Sequence, residues 1–166
     1  MSDVDFVNCL AGVYEHSPWV AKCVCDSRPF SNPEELYGAM QRVVNEAQLS
    51  AKLTLIRAHP ELAGKATHLS GLTDDSAREQ VGLGLDRLNA RAAELFARKN
   101  LAYRQRFGFP FIICVRKSTQ EGVLEAFERR MENSDDQEIE EALRQIHEIA
   151  GLRIEDIFVQ KDSRYR

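Results

Sequence analysis

His59 stands in His59-Pro60-Glu61-Leu62, directly before a proline. The residue before proline is pushed out of the α region, so a helix should end here. An imidazole at a helix C-terminus feels a dipole that favours its charged form. A histidine protonated near neutral pH can serve as a general acid. The same placement also suits a side chain that only caps the last carbonyls at the surface. Ser76, Glu79 and Gln80 lie at i, i+3 and i+4, so a helix presents them together. A hydroxyl, a carboxylate and an amide at one spot can grip a polar, urea-like heterocycle. The amide offers both a donor and an acceptor, and the carboxylate can accept two N–H bonds. A solvated helix face would show the same triplet.

A third group is Asn100-x-x-Tyr103-x-x-x-Phe107-Gly108-Phe109-Pro110-Phe111-Ile112. Glycine and proline so close to an apolar run imply a sharp, rigid turn. Phe111, Ile112, Ile113, Cys114 and Val115 form the one run that reads as extended, short and β-branched. One such run makes no sheet, so its backbone N–H and C=O groups are available to a ligand. Alternatively it is a buried connector packed by aromatics. Arg153, after Gly151, offers a guanidinium that can clamp a carboxylate. Its other reading is a surface ion pair with Glu148, Glu155 or Asp156. Glu15-His16-Ser17-Pro18-Trp19 reads as a helix junction with the indole buried, or as support at a pocket edge.

Metal chemistry finds little footing. His16, His59, His68 and His147 fit no standard zinc spacing, and H-E-x-x-H is absent. A metal-dependent hydrolase built on His59, His68 and nearby acids is a third-rank alternative. Cys23 and Cys25 are one residue apart, neither a redox C-x-x-C pair nor a zinc knuckle. With no basic, apolar leader at Met1-Ser2-Asp3-Val4-Asp5, we expect Cys9, Cys23, Cys25 and Cys114 to be reduced and mostly buried.

The elements that position these groups are helical. Val4, Val7, Leu10, Ala11 and Tyr14 recur at helical spacing. Ser17-Pro18 and Asn32-Pro33-Glu34-Glu35 each supply a cap and a proline at the first helical position. Ser50 is expected to cap a segment that runs to Ala58, and Thr73-Asp74-Asp75 to open another. Gly82 and Gly84 weaken the segment opened at Thr73 and can break it, and a long amphipathic stretch is expected from about Leu85 to Arg106. Ser118-x-x-Glu121 and Ser134-x-x-Gln137 read as capping boxes for the last two helices. The expectation is an all-α fold: a single domain over residues 1–166, a compact bundle of about eight helices with one short extended connection.

The chain has 166 residues, with 22 Lys plus Arg against 26 Asp plus Glu, giving a net charge of −4. Such a chain lacks the global field that attracts nucleic acid or anionic lipid, though not a local pocket for a small anion. No segment approaches the roughly 20 apolar residues of a membrane span.

In order and spacing, five blocks together resemble the 2-oxo-4-hydroxy-4-carboxy-5-ureidoimidazoline (OHCU) decarboxylase family. They are Glu15-x-Ser17-Pro18-Trp19, Arg57-x-His59-Pro60-x-Leu62-Ala63, Ser76-x-x-Glu79-Gln80, the Asn100 to Ile112 block, and a terminal helix with Arg153. The resemblance spans nearly the whole chain. It implies the last step of urate breakdown, giving (S)-allantoin and CO2. It also implies a helical, cofactor-free, commonly homodimeric enzyme, and the charge and hydropathy above lead us to expect no nucleic-acid or membrane partner. The catalytic histidine of that family matches His59 and its partner acid Glu79. Its substrate contacts match Pro60, the Ser76 to Gln80 segment and Phe111 to Val115, and its carboxylate-binding arginine matches Arg153. The terminal Asp162-Ser163-Arg164-Tyr165-Arg166 lacks a peroxisomal address, so a cytoplasmic location is expected. Decarboxylation needs a sink for an electron pair, and a C=N bond in the substrate ring provides one without pyridoxal phosphate, thiamine or a metal. The rival from another class is a non-catalytic helical binding or adaptor module.

Overall fold

The computed structural model describes residues 1–63 and 72–164, with side chains described to residue 160. His68 of the metal-hydrolase alternative lies outside them. Among the described residues the fold is all-α: eight α-helices, three short 3-10 turns, and no strand beyond an isolated bridge residue at Leu72. The chain divides into two compact units, residues 1–58 with 147–166, and residues 59–146.

The first unit holds α1 (Asp3–Leu10), α2 (Pro18–Cys23), α3 (Pro33–Glu46) and α4 (Leu49–Arg57). It also holds the later part of α8 (Asp135–Arg164). The caps follow local chemistry. The Asn32 side chain accepts the Glu35 N–H at 2.8 Å, with Pro33 at the first helical position. Ser17 precedes Pro18 as expected, but its hydroxyl makes no cap bond. Val20, Met40, Val44, Leu55, Ile56, Ala150 and Ile154 are fully buried. At Gly151 an added Cβ would come within 3.4 Å of the Tyr37 ring, so the absence of a side chain lets that ring lie against α8.

The second unit holds α5 (Asp74–Gly82), α6 (Ala90–Phe107), α7 (Gln120–Arg130) and the start of α8. Phe111 and Phe127 stack with ring centroids 3.7 Å apart, and the Tyr103 ring meets Phe111 edge-on at 5.1 Å. The Ser134 box at α8 is reciprocal: Ser134 N–H donates to Gln137 Oε1 at 2.9 Å, and Gln137 N–H to Ser134 Oγ at 3.3 Å.

Several boundaries differ from the sequence expectations. α6 starts at Ala90, capped by Asn89, not near Leu85. α5 ends at Gly82, Gly84 adopts a left-handed φ of 76° and a 3-10 turn at Leu85–Arg87 intervenes, so the two glycines do break the segment opened at Thr73. α4 starts at Leu49 without a side-chain cap, so Ser50 is its second residue. Thr119, not Ser118, caps α7, because the Ser118 hydroxyl donates instead to the Cys114 carbonyl at 3.1 Å. Trp19 is half-buried, not buried. None of the four cysteines forms a disulfide; Cys25 and Cys114 are buried, Cys9 is half-buried and Cys23 is exposed.

Candidate active site

α4 gives way at Ala58, whose N–H still bonds back to Thr54 and Leu55, and His59 follows directly. The His-Pro pair therefore ends the helix where sequence placed the end. The His59 side chain is 7% exposed, which removes the reading of a surface cap.

The turn that follows is held by two amides. Gln80 on α5 accepts the Ala63 N–H at 3.0 Å and donates to the Glu61 carbonyl at 3.3 Å. Asn100 on α6 donates from Nδ2 to the Leu62 carbonyl at 2.7 Å. Ala63 needs the support, since its φ of 46° is left-handed and a side chain there costs about 1–2 kcal/mol. Three consecutive backbone groups are thus pinned within four residues of His59.

Ser76, Glu79 and Gln80 share α5, which starts where the Thr73 side chain accepts the Ser76 N–H at 3.3 Å. Ser76 and Gln80 are buried and Glu79 half-buried, so this is not a solvated face. Gln80 uses one valence of its oxygen and one N–H on the turn, leaving one of each. α5 also packs against the 3-10 turn Val115–Lys117, at the end of the extended run.

That run is Phe111 to Cys114, without helix or strand pairing. Phe111, Ile112, Cys114 and Val115 are buried and Ile113 half-buried. The backbone is not wholly unclaimed. The Ile112 carbonyl accepts from Arg130 Nη1 at 2.6 Å, and the Cys114 N–H donates to Gln145 Oε1 at 2.8 Å. Between them, the N–H and C=O of Ile113 meet no hydrogen-bond partner among the described residues. Anchoring alternate residues turns one edge of an extended segment to the protein and leaves the other edge to a ligand. The segment is thus a buried connector on one edge, with the Ile113 backbone groups unclaimed on the other among the described residues.

Arg130 and Gln145 carried no sequence signal, since they lie 18 and 31 positions from the groups they hold. Arg130 is itself fixed. Its Nε and Nη2 donate to Glu138 Oε1 at 2.8 and 2.6 Å, and its guanidinium lies 4.3 Å from the Phe111 ring centroid. Glu138 also accepts from Asn133 Nδ2 at 2.7 Å and from the Tyr103 hydroxyl, whose pKa burial pushes well above the usual phenol value.

In the first unit, Arg153 is buried and pairs with Glu15, Nη1 to Oε2 at 2.8 Å, and with the Gly12 carbonyl at 2.9 Å. Where the sequence offered a surface pair with Glu148, Glu155 or Asp156, the structure shows a buried pair with Glu15 across 138 positions. His147, noted in the sequence only as fitting no zinc spacing, is also buried. Nδ1 accepts from the Tyr14 hydroxyl at 2.8 Å, and Nε2 donates to Asn45 Oδ1 at 3.1 Å. Burial pushes its pKa down from 6.5 to about 4, which keeps the ring neutral. Among the described residues no group of three or more His, Cys, Asp or Glu could hold a metal ion.

Residues 1–155 match the family model of OHCU decarboxylase. The chain is 42% identical over 158 residues to the 2-oxo-4-hydroxy-4-carboxy-5-ureidoimidazoline decarboxylase of Haloferax volcanii, covering 95% of this chain and 92% of that protein. It is 38% identical over 152 residues to the uric acid degradation bifunctional protein of Bacillus subtilis, covering 92% of this chain and 30% of that protein. Among solved structures, (S)-allantoin synthase matches with a TM-score of 0.74 at 30% identity, over 95% of this chain and 51% of that one. OHCU decarboxylase crystallised in the presence of (S)-allantoin matches with a TM-score of 0.73 at 25% identity, over 96% of this chain and 99% of that one. The chain belongs to the OHCU decarboxylase family.

Proposed function

We propose that this chain decarboxylates 2-oxo-4-hydroxy-4-carboxy-5-ureidoimidazoline to (S)-allantoin and CO2, as a carbon–carbon lyase with no resident cofactor. One observation carries the reading. The buried His59 turn, the Ser76–Glu79–Gln80 face and the extended run are tied to one another within one unit, by Gln80 and by the packing of α5 on Val115–Lys117.

The C–C bond to the carboxylate breaks, and its electron pair forms a ring C=C while the C=N pair moves onto nitrogen. CO2 leaves, one proton goes to the ureido-bearing carbon, and the hydroxyl proton of the enol passes to the ring nitrogen, so that the hydroxyl-bearing carbon becomes the carbonyl of allantoin. The protein has to hold the carboxylate out of the ring plane and deliver the proton on carbon to one face only. His59 is assigned the proton transfer, with Glu79 as its partner acid. Glu79, Gln80 and Ser76 take the ureido and ring N–H groups, and Pro60 lines the same turn. The open backbone edge at Ile113, within the Phe111 to Val115 run, completes the grip. Arg153 is assigned the substrate carboxylate on family resemblance, which also supports a homodimer. No described helix is long and apolar enough to cross a membrane.

The test is to generate the unstable substrate enzymatically from urate and follow optically active allantoin by circular dichroism. Adding this protein should speed its appearance and give one enantiomer in excess. An unchanged rate with racemic product would overturn the proposal.

A further inference from the structure

Asn100 is 4% exposed, and its two amide ends have opposite fates. Nδ2 donates to the Leu62 carbonyl at 2.7 Å. Oδ1 is buried and has no hydrogen-bond partner among the described residues. The orientation is not interchangeable, because a flipped amide would set its oxygen against the Leu62 carbonyl. A buried carbonyl without a donor costs stability, and such an exception calls for a physical reason.

The surroundings supply one. Asn100 and Tyr103 lie one turn apart on α6 and so share a face. Asn100 holds the turn that carries His59 and Pro60, and Tyr103 packs edge-on against Phe111 at 5.1 Å. This one helical face therefore touches both segments to which substrate contacts are assigned, with an unused acceptor on it. We propose that Asn100 is a two-ended binding residue. Its Nδ2 positions the His59 turn through Leu62, and its Oδ1 accepts an N–H from a ureido or ring nitrogen of the ligand. This rests on the proposed decarboxylase reading. It adds a specificity element, since a ligand without an N–H at that point leaves a buried oxygen unpaired.

The experiment compares the whole protein with Asn100→Leu, an apolar residue of similar size. Apo melting temperature, the Kd for (S)-allantoin by calorimetry, and kcat and KM are measured for both. The variant should melt lower and bind allantoin at least tenfold more weakly, with KM raised by a similar factor. A lower melting temperature with an allantoin Kd within twofold of the parent would make Asn100 structural only and overturn the binding role. A second measurement needs no variant. In the isotope-labelled parent protein, the Asn100 side-chain carbonyl ¹³C resonance should shift downfield on saturation with allantoin. An unmoved resonance overturns the contact even if Asn100→Leu does not fold. A parent protein that neither turns over the substrate nor binds allantoin would instead sink the decarboxylase reading, a result plainly different from a parent that binds and a variant that binds equally.

Discussion

Arg130 and Glu138 meet at 2.6 Å with side chains 2% and 0% exposed, and the same guanidinium carries the Ile112 carbonyl. A buried pair of this kind is a poor source of net stability, but removing one member strands the other charge. Arg130→Met should cost about 3–5 kcal/mol in urea unfolding. The double variant Arg130→Met/Glu138→Leu should regain much of that loss, although the Ile112 carbonyl stays without its donor. A double variant no more stable than the single one would show that the pair itself, not the stranded carboxylate, carries the energy.

His59→Asn keeps a polar side chain of smaller size but cannot exchange a proton near neutral pH. Positioned proton transfer contributes ~10²–10⁴-fold, so kcat/KM should fall at least a hundredfold. The circular dichroism of the folded state should be unchanged. Near-normal turnover by a folded His59→Asn protein would remove the catalytic assignment. Glu79→Gln, which keeps the shape and loses the charge, should also impair turnover.

Gln80→Leu removes the bond to the strained Ala63 N–H and the one to the Glu61 carbonyl in the same turn. The Ala63 amide proton should then exchange with solvent at least ~10-fold faster, about 1.4 kcal/mol of lost protection, and kcat/KM should drop in parallel. Faster exchange with unaltered kinetics would separate the turn from the chemistry.

His147 makes folding stability depend on pH with a definite sign. Its folded pKa of about 4 lies below the unfolded value of 6.5. Between those values the unfolded chain binds a proton that the folded one refuses. The contribution of His147 is therefore complete above pH 6.5 and is lost as pH falls toward 4. The melting temperature of the parent protein should fall more steeply over that window than that of His147→Gln. Parallel curves would mean that the ring does not stay neutral in the folded state.

Arg153→Lys keeps the charge but loses the planar guanidinium whose Nη1 meets both Glu15 and Gly12. If Arg153 takes the substrate carboxylate, KM should rise more than kcat falls. An unchanged KM in a stable variant would leave Arg153 as a structural partner of Glu15.

Much of this protein was legible in one dimension because short-range chemistry sets it. Asn32-Pro33, Thr73 and the Ser134–Gln137 box start helices through bonds spanning three residues, and His59-Pro60 ends one through a clash with its neighbour. The i, i+3, i+4 spacing of Ser76, Glu79 and Gln80 likewise needed only a helix. At α7 the cap fell to Thr119 instead of the expected Ser118, whose hydroxyl satisfies the Cys114 carbonyl. What tertiary structure alone decided is which polar groups meet after burial. Gln80 reaches back 17 positions to Ala63, Asn100 reaches 38 to Leu62, Arg130 reaches 18 to Ile112 and Glu15 reaches 138 to Arg153. Each of these is a buried group that must find a partner or remain costly, and the partner is set by how helices stack, not by spacing along the chain.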